Sequence, residues 1–279
     1  MALASVKLYA ASARRGLVRG GLSRARLGRD ERLVFVVGSP RSGTTFLGDA
    51  LGGLPGFVDL GEVAPLKAAI PRLHEIPAEE QRKRIRGILD AVRRLAFVSG
   101  LRAVEQTPEV AFVLSSVLQA FPQARAVHIV RDGRDVVCSL LERGWLRADR
   151  TGSDDAQLPY GAQARFWVEP ERAVEFAAVS EATRAAWAWR RYVSAARSVR
   201  ERTLEIRYEA LARERDQVAV AISQHLSVPV EAVAANLGAA HSGSIGRFRR
   251  DLSPEQLADV EREAGALLRE LGYPPVESA

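Results

Sequence analysis

At 279 residues, with 47% hydrophobic and 27% charged side chains, the chain excludes an intrinsically disordered protein and suits one large folded unit better than two independent domains. Its single cysteine, Cys138, excludes an intramolecular disulfide framework and a cysteine-cluster metal site, and it suits a reducing, cytoplasmic setting. The net charge of +6 is almost wholly arginine, since lysine occurs only at Lys7, Lys67 and Lys83; arginine's planar fork suits bidentate phosphate recognition, and a codon bias produces the same composition.

Residues 1–29 contain no acidic side chain but include Lys7, Arg14, Arg15, Arg19, Arg24, Arg26 and Arg29. This basic N-terminal extension, residues 1–30, reads either as an organelle transit peptide or as a basic amphipathic helix packed on the domain or touching anionic lipid. Residues 31–279 read as a single domain. No apolar run in the sequence reaches the roughly 18 to 20 residues needed to cross a bilayer.

The apolar run Leu33–Val37, bounded by Gly38 and Pro40, predicts a buried parallel strand, with a helix starting near Gly43. "DLGEVAPL" places Glu62 in a turn that a short parallel strand would aim at the carboxyl edge of a sheet. Ala78–Phe97 has helical spacing, "LRAVEQTP" predicts a short strand stopped by Pro108, and Glu109–Phe121 returns to helix. Ala124–Val130 is a second strongly apolar strand, and "RDGRDVVCSLLERG" is a turn into a helix that ends at Gly144. Residues 145–177, with Gly152, Pro159, Gly161 and Pro170, have no period and read as a long functional loop or lid. Helix follows over Ser180–Arg200, strand in "TLEIRY" and helix over Glu209–Leu226. Ser253, Pro254 and Gln256 form an N-cap signature for a last helix that stops near Gly272. Strands alternating with helices predict a P-loop-like α/β fold: a doubly wound, mostly parallel sheet with helices on both faces.

In such a sheet ligands gather at the carboxyl ends of the strands, where a glycine-rich turn into a helix points backbone N–H groups at an anion. The segment Gly38–Thr45, "GSPRSGTT", sits there, but Thr44 occupies the position of the lysine found in nucleoside-triphosphate loops. Losing that lysine disfavours triphosphate chemistry. Arg41 inside the loop, with the hydroxyls of Ser42, Thr44 and Thr45, suits a compact anion without any metal. The strand "HIVRD" imitates the magnesium-binding strand of triphosphatases at Asp132, which carries little weight without the lysine.

"GSPRSGTTFL" resembles the 5′-phosphosulfate loop of sulfotransferases that use 3′-phosphoadenosine 5′-phosphosulfate (PAPS) as co-substrate. Its arginine version is closer to the bacterial and protein-tyrosine sulfotransferases than to the cytosolic steroid and phenol enzymes. The resemblance implies that Pro40, Arg41, Ser42, Gly43, Thr44 and Thr45 bind the 5′ end of the nucleotide. "VHIVRDGRDVVCSLLER" is similar to the 3′-phosphate motif of the same family, with Arg131, Ser139 and Arg143 as its phosphate-binding residues; the last two share one helix face. In "EIRYEALARE", Tyr208 would contact the nucleotide and Glu209 would be structural. "HSGSIGRFRRDLSPEQ" and "LGYPP" resemble the family's C-terminal end, where Ser242, Ser244 and Arg247 would close over the 5′ end. The likeness spans about residues 33–275. Independently of it, Arg131 and Arg134 also fit a turn tied by Asp132 and Asp135; the phosphate role is preferred for Arg131 and the turn-tying role for Arg134.

Sulfuryl transfer spreads charge over oxygens of the transferring group and the leaving phosphate, so it needs placed cations, amides and a base for the acceptor proton. Glu62 matches a glutamate base in a comparable "GE" segment of the related enzymes; the alternative is a carboxylate favoured by a helix start. His241 is a second candidate base, whereas His128 reads as a core residue and His74 and His225 as helix-end or surface residues. The family often carries a lysine before "TP", where this chain has Gln106, so Arg41 or Arg247 would supply the missing cation. The acceptor, a hydroxyl of a small natural product, glycan, lipid or peptide, would meet the long loop and a face carrying Trp145, Trp167, Trp187 and Trp189, with at least one of the last two packing a helix against the sheet instead. Two other functions fit the composition: a kinase with a degenerate loop, and a non-catalytic arginine-rich binder of nucleic acid or a membrane surface.

Overall fold

The apolar runs Leu33–Val37 and Arg125–Val130 are buried and pair side by side in the interior of a sheet. The computed structural model describes residues 2–20, 32–73, 75–162, 165–238 and 242–275. Its strands are β1 (Leu33–Val37), β2 (Phe57–Gly61), β3 (Arg102–Glu105), β4 (Arg125–Val130) and β5 (Thr203–Arg207), all parallel in the order β2-β3-β1-β4-β5. The helices are α1 (Ala2–Gly20), α2 (Thr44–Gly52), α3 (Ala64–Leu73), α4 (Ala78–Leu95), α5 (Leu114–Ala120), α6 (Gly133–Arg143), α7 (Ala173–Ala178), α8 (Glu181–Arg197), α9 (Tyr208–Arg213), α10 (Arg215–Leu226), α11 (Val230–Asn236), α12 (Phe248–Asp251) and α13 (Pro254–Glu270).

Alternate residues of β1 feed opposite cores, as a pleated strand requires. Leu33, Phe35 and Val37 pack with α1, α3, α4, α5, α6, α8 and α13, while Val34 and Val36 pack with α2, α10 and α11. Both faces of the sheet are therefore covered, which is why β1 is buried along its whole length. This is the doubly wound α/β fold expected from the pattern of elements. No described helix is long and apolar enough to cross a membrane.

Several local signals act as read. Asp132 accepts the N–H of Arg134 at 3.0 Å to cap α6, Gly144 ends it at φ 58°, and the Ser253–Gln256 capping box opens α13. The segment expected as one helix over 109–121 instead begins as a 3₁₀ turn, Pro108–Val113, and only then becomes α5. The buried Glu109 in that turn is held by the hydroxyl of Tyr192 at 3.1 Å. The helix expected over 209–226 breaks at Glu214, whose φ of −134° separates α9 from α10, and α11 was not anticipated. Within residues 145–177 the chain is irregular over 145–162 and 165–169, pinned by a bridge between Ser153 and Pro159, and closes with a 3₁₀ turn, Pro170–Arg172, and α7.

Residues 2–20 form a helix packed on β2, α3 and α4. Ser12 and Ala13 are buried there, and Gly16 lies so close to α4 that a Cβ would come 2.9 Å from the Cβ of Ala96.

Gly52 belongs to α2, where alanine ordinarily gains about 1 kcal/mol over glycine. A Cβ there would meet the Cβ of Asp59 at 2.3 Å and its backbone nitrogen at 2.7 Å, so we expect Gly52→Ala to destabilise the protein by about 1–3 kcal/mol. Equilibrium urea unfolding measures this; a variant as stable as the parent contradicts the close α2–β2 packing.

Candidate active site

The loop between β1 and α2 is built to leave backbone donors open. Gly43 stands at the N-cap of α2 with φ 100° and no side-chain cap, so the first amides of the helix have no partner within it. Glycine is needed for two reasons: the left-handed φ, and a wall formed by Tyr208, whose ring a Cβ would approach to 2.8 Å. Arg41 is also left-handed, at φ 72°, an uncommon setting for a residue with a side chain. That conformation accompanies a guanidinium that donates through Nε to Ser139 Oγ at 3.0 Å and lies 5.9 Å from the ring of Trp145.

Arg131, at the carboxyl end of β4, is buried beside this loop. It donates to the Arg41 carbonyl at 3.3 Å and to the Ser244 carbonyl at 2.5 Å, and its guanidinium lies 4.6 Å from the Tyr208 ring centre. Burial lowers the pKa of Arg41, and the charges of Arg143 and Arg131 push it the same way. Positive charge is thus concentrated where Arg41, Arg131, Arg143, Ser139 and Tyr208 meet. Two buried polar atoms in this group, Ser42 Oγ and Arg131 Nε, have no hydrogen-bonding partner among the described residues, a cost that an anion at the loop would remove.

The remaining residues of the RDGRD turn hold the frame. Arg134 is bidentate to Asp132, at 2.9 and 2.7 Å, and donates to the Pro274 carbonyl at 2.7 Å. Glu209 accepts the Asp132 N–H at 2.9 Å and the Tyr273 hydroxyl at 3.1 Å. Asp135 accepts the N–H groups of Gly246 and Phe248 at 2.7 and 3.1 Å, which seats the C-terminal segment next to Arg131. Ser242 is exposed at the start of a 3₁₀ turn, Ser242–Ser244. Arg247 is held by Asp251 at 2.6 Å and by Glu142 at 3.1 Å. His241 and His74 lie outside the described residues.

Beside the loop a cavity of about 580 Å³ opens at the carboxyl edge of β1, β2 and β3. Pro40, Arg41, Thr44 and Thr45 form one wall, Gly61 ends β2 and Glu62 follows it, and Gln106 and Pro108 follow β3. Trp145, Tyr160 and Trp167 contribute aromatic surface, with Trp145 and Tyr160 stacked at 6.0 Å. Gln106 is buried, and its Oε1 has no partner among the described residues.

Glu62 accepts a hydrogen bond from Lys67 Nζ at 2.6 Å. Burial raises its pKa; Lys67 opposes that shift and Glu109 and Asp155 reinforce it, leaving a net rise. For Lys67, burial works against the charge, but Glu109, Glu62 and Asp154 outweigh it, so the ammonium is held well above its ordinary pKa. Lys67 also lies 3.0 Å from Asp154, and Arg165 bridges Asp154 and Glu109. Beneath them Glu105, wholly buried, is pushed up to about 7 by desolvation despite hydrogen bonds from Thr107 and Val63.

Sequence reasoning missed Lys67, Glu109, Asp154 and Arg165, and it missed Arg15 and Arg19 of α1, which also line the cavity. A lysine inside the apolar stretch "APLKAAI" was a signal for the first; the others carry no local mark. The aromatic expectation needs correction in part. Trp187 and Trp189 are fully buried in the core, the latter donating to the Arg131 carbonyl at 3.1 Å, because α8 is covered on both sides by α6 and α13. His128 is a core residue bonded to Glu205 at 3.2 Å, and His225 bonds the Ala126 carbonyl at 2.9 Å.

A family profile described as "Sulfotransferase family" matches residues 86–232, just over half of the chain. The match runs from α4 to the start of α11 and leaves the Gly38 loop outside it. Among solved structures the fold resembles the sulfotransferase domain from the curacin biosynthetic pathway, with 16% identity, 88% of this chain and 99% of that one covered, and a TM-score of 0.56. It also resembles the sulfotransferase domain of the Synechococcus PCC 7002 olefin synthase, at 16% identity, 85% and 96% coverage and a TM-score of 0.51. A sulfotransferase from Alicyclobacillus acidocaldarius aligns at 16% identity, with 89% and 98% coverage and a TM-score of 0.50. None of the three is a protein-tyrosine sulfotransferase by its description, and no curated protein matches the sequence. At such identities the structures speak for the fold, while the profile match over α4 to α11 speaks for descent: the chain belongs to the sulfotransferase family, enzymes that transfer sulfuryl groups.

Proposed function

We propose that the donor is PAPS and that the acceptor is a hydroxyl of a small natural product, glycan, lipid or peptide. The observation that carries this reading is the pair of unsatisfied buried donors, Ser42 Oγ and Arg131 Nε, on either side of a glycine turn too close to Tyr208 to admit a Cβ. These features fit a nucleotide with phosphate at both ends. When bound, PAPS supplies the sulfuryl group and a phosphate leaving group.

In this reading Arg41, Gly43, Thr44, Thr45 and the open amides of α2 hold the 5′ end, with Pro40 shaping the turn. Arg131, Ser139 and Arg143 hold the 3′-phosphate, and Tyr208 offers its ring to the nucleoside. Ser242, Ser244 and Arg247 close over the 5′ end; Arg247 would exchange Glu142 and Asp251 for phosphate oxygen. The carboxylate of Glu62 takes the acceptor proton as the sulfur–oxygen bond to the acceptor forms and that to the phosphate breaks. Charge on the transferring group is met by guanidinium, hydroxyls and amides, so no metal is invoked. His241 is the second candidate base. The aromatic surface of Trp145, Tyr160 and Trp167 suits a sugar, lipid or aromatic acceptor.

We expect 3′-phosphoadenosine 5′-phosphate to stabilise the protein by about 2.7 kcal/mol at 100 times its Kd, seen as a raised melting temperature, while ATP with magnesium has little effect. Equal shifts favour the kinase reading. Arg131→Ala should weaken that ligand about 10- to 100-fold in calorimetry, whereas Glu62→Gln should leave its affinity intact and cut kcat by about 10²–10⁴ in an acceptor screen. A fully active Glu62→Gln enzyme passes the base role to His241.

The pH profile follows from the raised pKa of Glu62. A base must be deprotonated, so kcat falls as pH drops through that raised value, above the ordinary carboxylate range. Lys67→Met removes the charge that opposes the rise, and the acid limb of kcat should move to higher pH. An acid limb that stays in place separates Glu62 from the titration.

A further inference from the structure

We propose that Arg15 of α1 is a binding residue of the donor site, holding the sulfuryl group of PAPS together with Arg41, and that the N-terminal helix is therefore part of the active site. The inference rests on the donor reading above.

The cations around the cavity can be paired off. Arg19 is held by Asp49 at 2.7 Å and by Asp59. Lys67 is held by Glu62 and Asp154, and Arg165 by Asp154 and Glu109. Arg41 and Arg15 remain, with no carboxylate partner among the described residues. Arg41 is bonded to the Ser139 hydroxyl. Arg15 donates from Nη1 to the backbone carbonyl of Glu62 at 3.1 Å, which occupies one of the five N–H donors of the fork. Gln106 carries no charge and Glu62 is engaged by Lys67, so two guanidiniums without a carboxylate partner among the described residues line the cavity: one from the loop, and one beside Glu62.

The placement of Arg15 is a built feature of the fold. Gly61 has φ 67°, and a Cβ there would lie 2.6 Å from Arg15 Nη1 and 2.9 Å from its Cδ; the glycine makes room for the side chain. One residue further along α1, Gly16 sits against Ala96, and one turn on, Arg19 is clamped by two aspartates. The helix is thus fixed on both sides of Arg15, and the guanidinium is held where a sulfuryl group would lie between the loop and Glu62. In transfer, charge grows on the sulfuryl oxygens and the leaving phosphate, and a preorganised cation at that point stabilises it.

The test needs no acceptor. Affinities for PAPS and for 3′-phosphoadenosine 5′-phosphate are compared by calorimetry in the full chain, in Arg15→Ala, in Arg15→Gln, and in Arg14→Ala, an exposed neighbour on the same helix. Arg15→Gln keeps a polar side chain with N–H donors and removes the charge and the guanidinium fork. We expect both Arg15 variants to bind PAPS about 10-fold or more weakly, with the affinity for the desulfated nucleotide and the melting temperature unchanged, and Arg14→Ala to match the parent. Equal losses for both nucleotides make Arg15 an anchor of α1 only and overturn the proposal, as does an unchanged affinity for PAPS. A parent protein that binds neither nucleotide removes the donor reading itself, and this inference with it.

Discussion

Everything at the site depends on the parallel pairing of β1 with β4. Their register, Val36 beside Val127 and Val37 beside His128, brings the carboxyl ends of two strands together although they are nearly a hundred residues apart in sequence. The Gly38 loop leaves one and the Arg131 turn leaves the other. Only this adjacency lets Arg41 reach Ser139 and lets Arg131 bond the Arg41 carbonyl. Gly38 shows how tight the seam is: a Cβ there would come 2.5 Å from the Ile129 carbonyl oxygen.

A second constraint is electrostatic. The cavity holds more ionisable groups than a low-dielectric site tolerates unless they are paired. The chain of contacts from Glu62 through Lys67, Asp154 and Arg165 to Glu109 and Tyr192 supplies that pairing. Burial lifts Glu62 above its ordinary pKa while Lys67 opposes the lift. Two guanidiniums at the cavity, those of Arg15 and Arg41, have no carboxylate partner among the described residues.

Local signals survived folding wherever a residue acts through its own backbone. The strand at Leu33–Val37 and the turn at Gly43 follow from apolar burial and a left-handed φ, and the Asp132 cap and the Ser253 capping box from side chains that bond within a few residues. Where the expectation failed, long-range packing decided: the 3₁₀ turn at Glu109 is held by Tyr192, and Trp187 and Trp189 are enclosed by α6 and α13.

The sequence by itself determined the alternation of strands and helices, the doubly wound α/β class and the glycine turn that opens α2, because periodicity and glycine placement are properties of short segments. Only the tertiary structure decided which charges are spent and which remain. That Arg19 and Arg165 are neutralised, that Arg247 is held by Glu142, and that Arg15 arrives beside Glu62 from the N-terminal helix are matters of distance between separate elements. No spacing of residues along a chain encodes them.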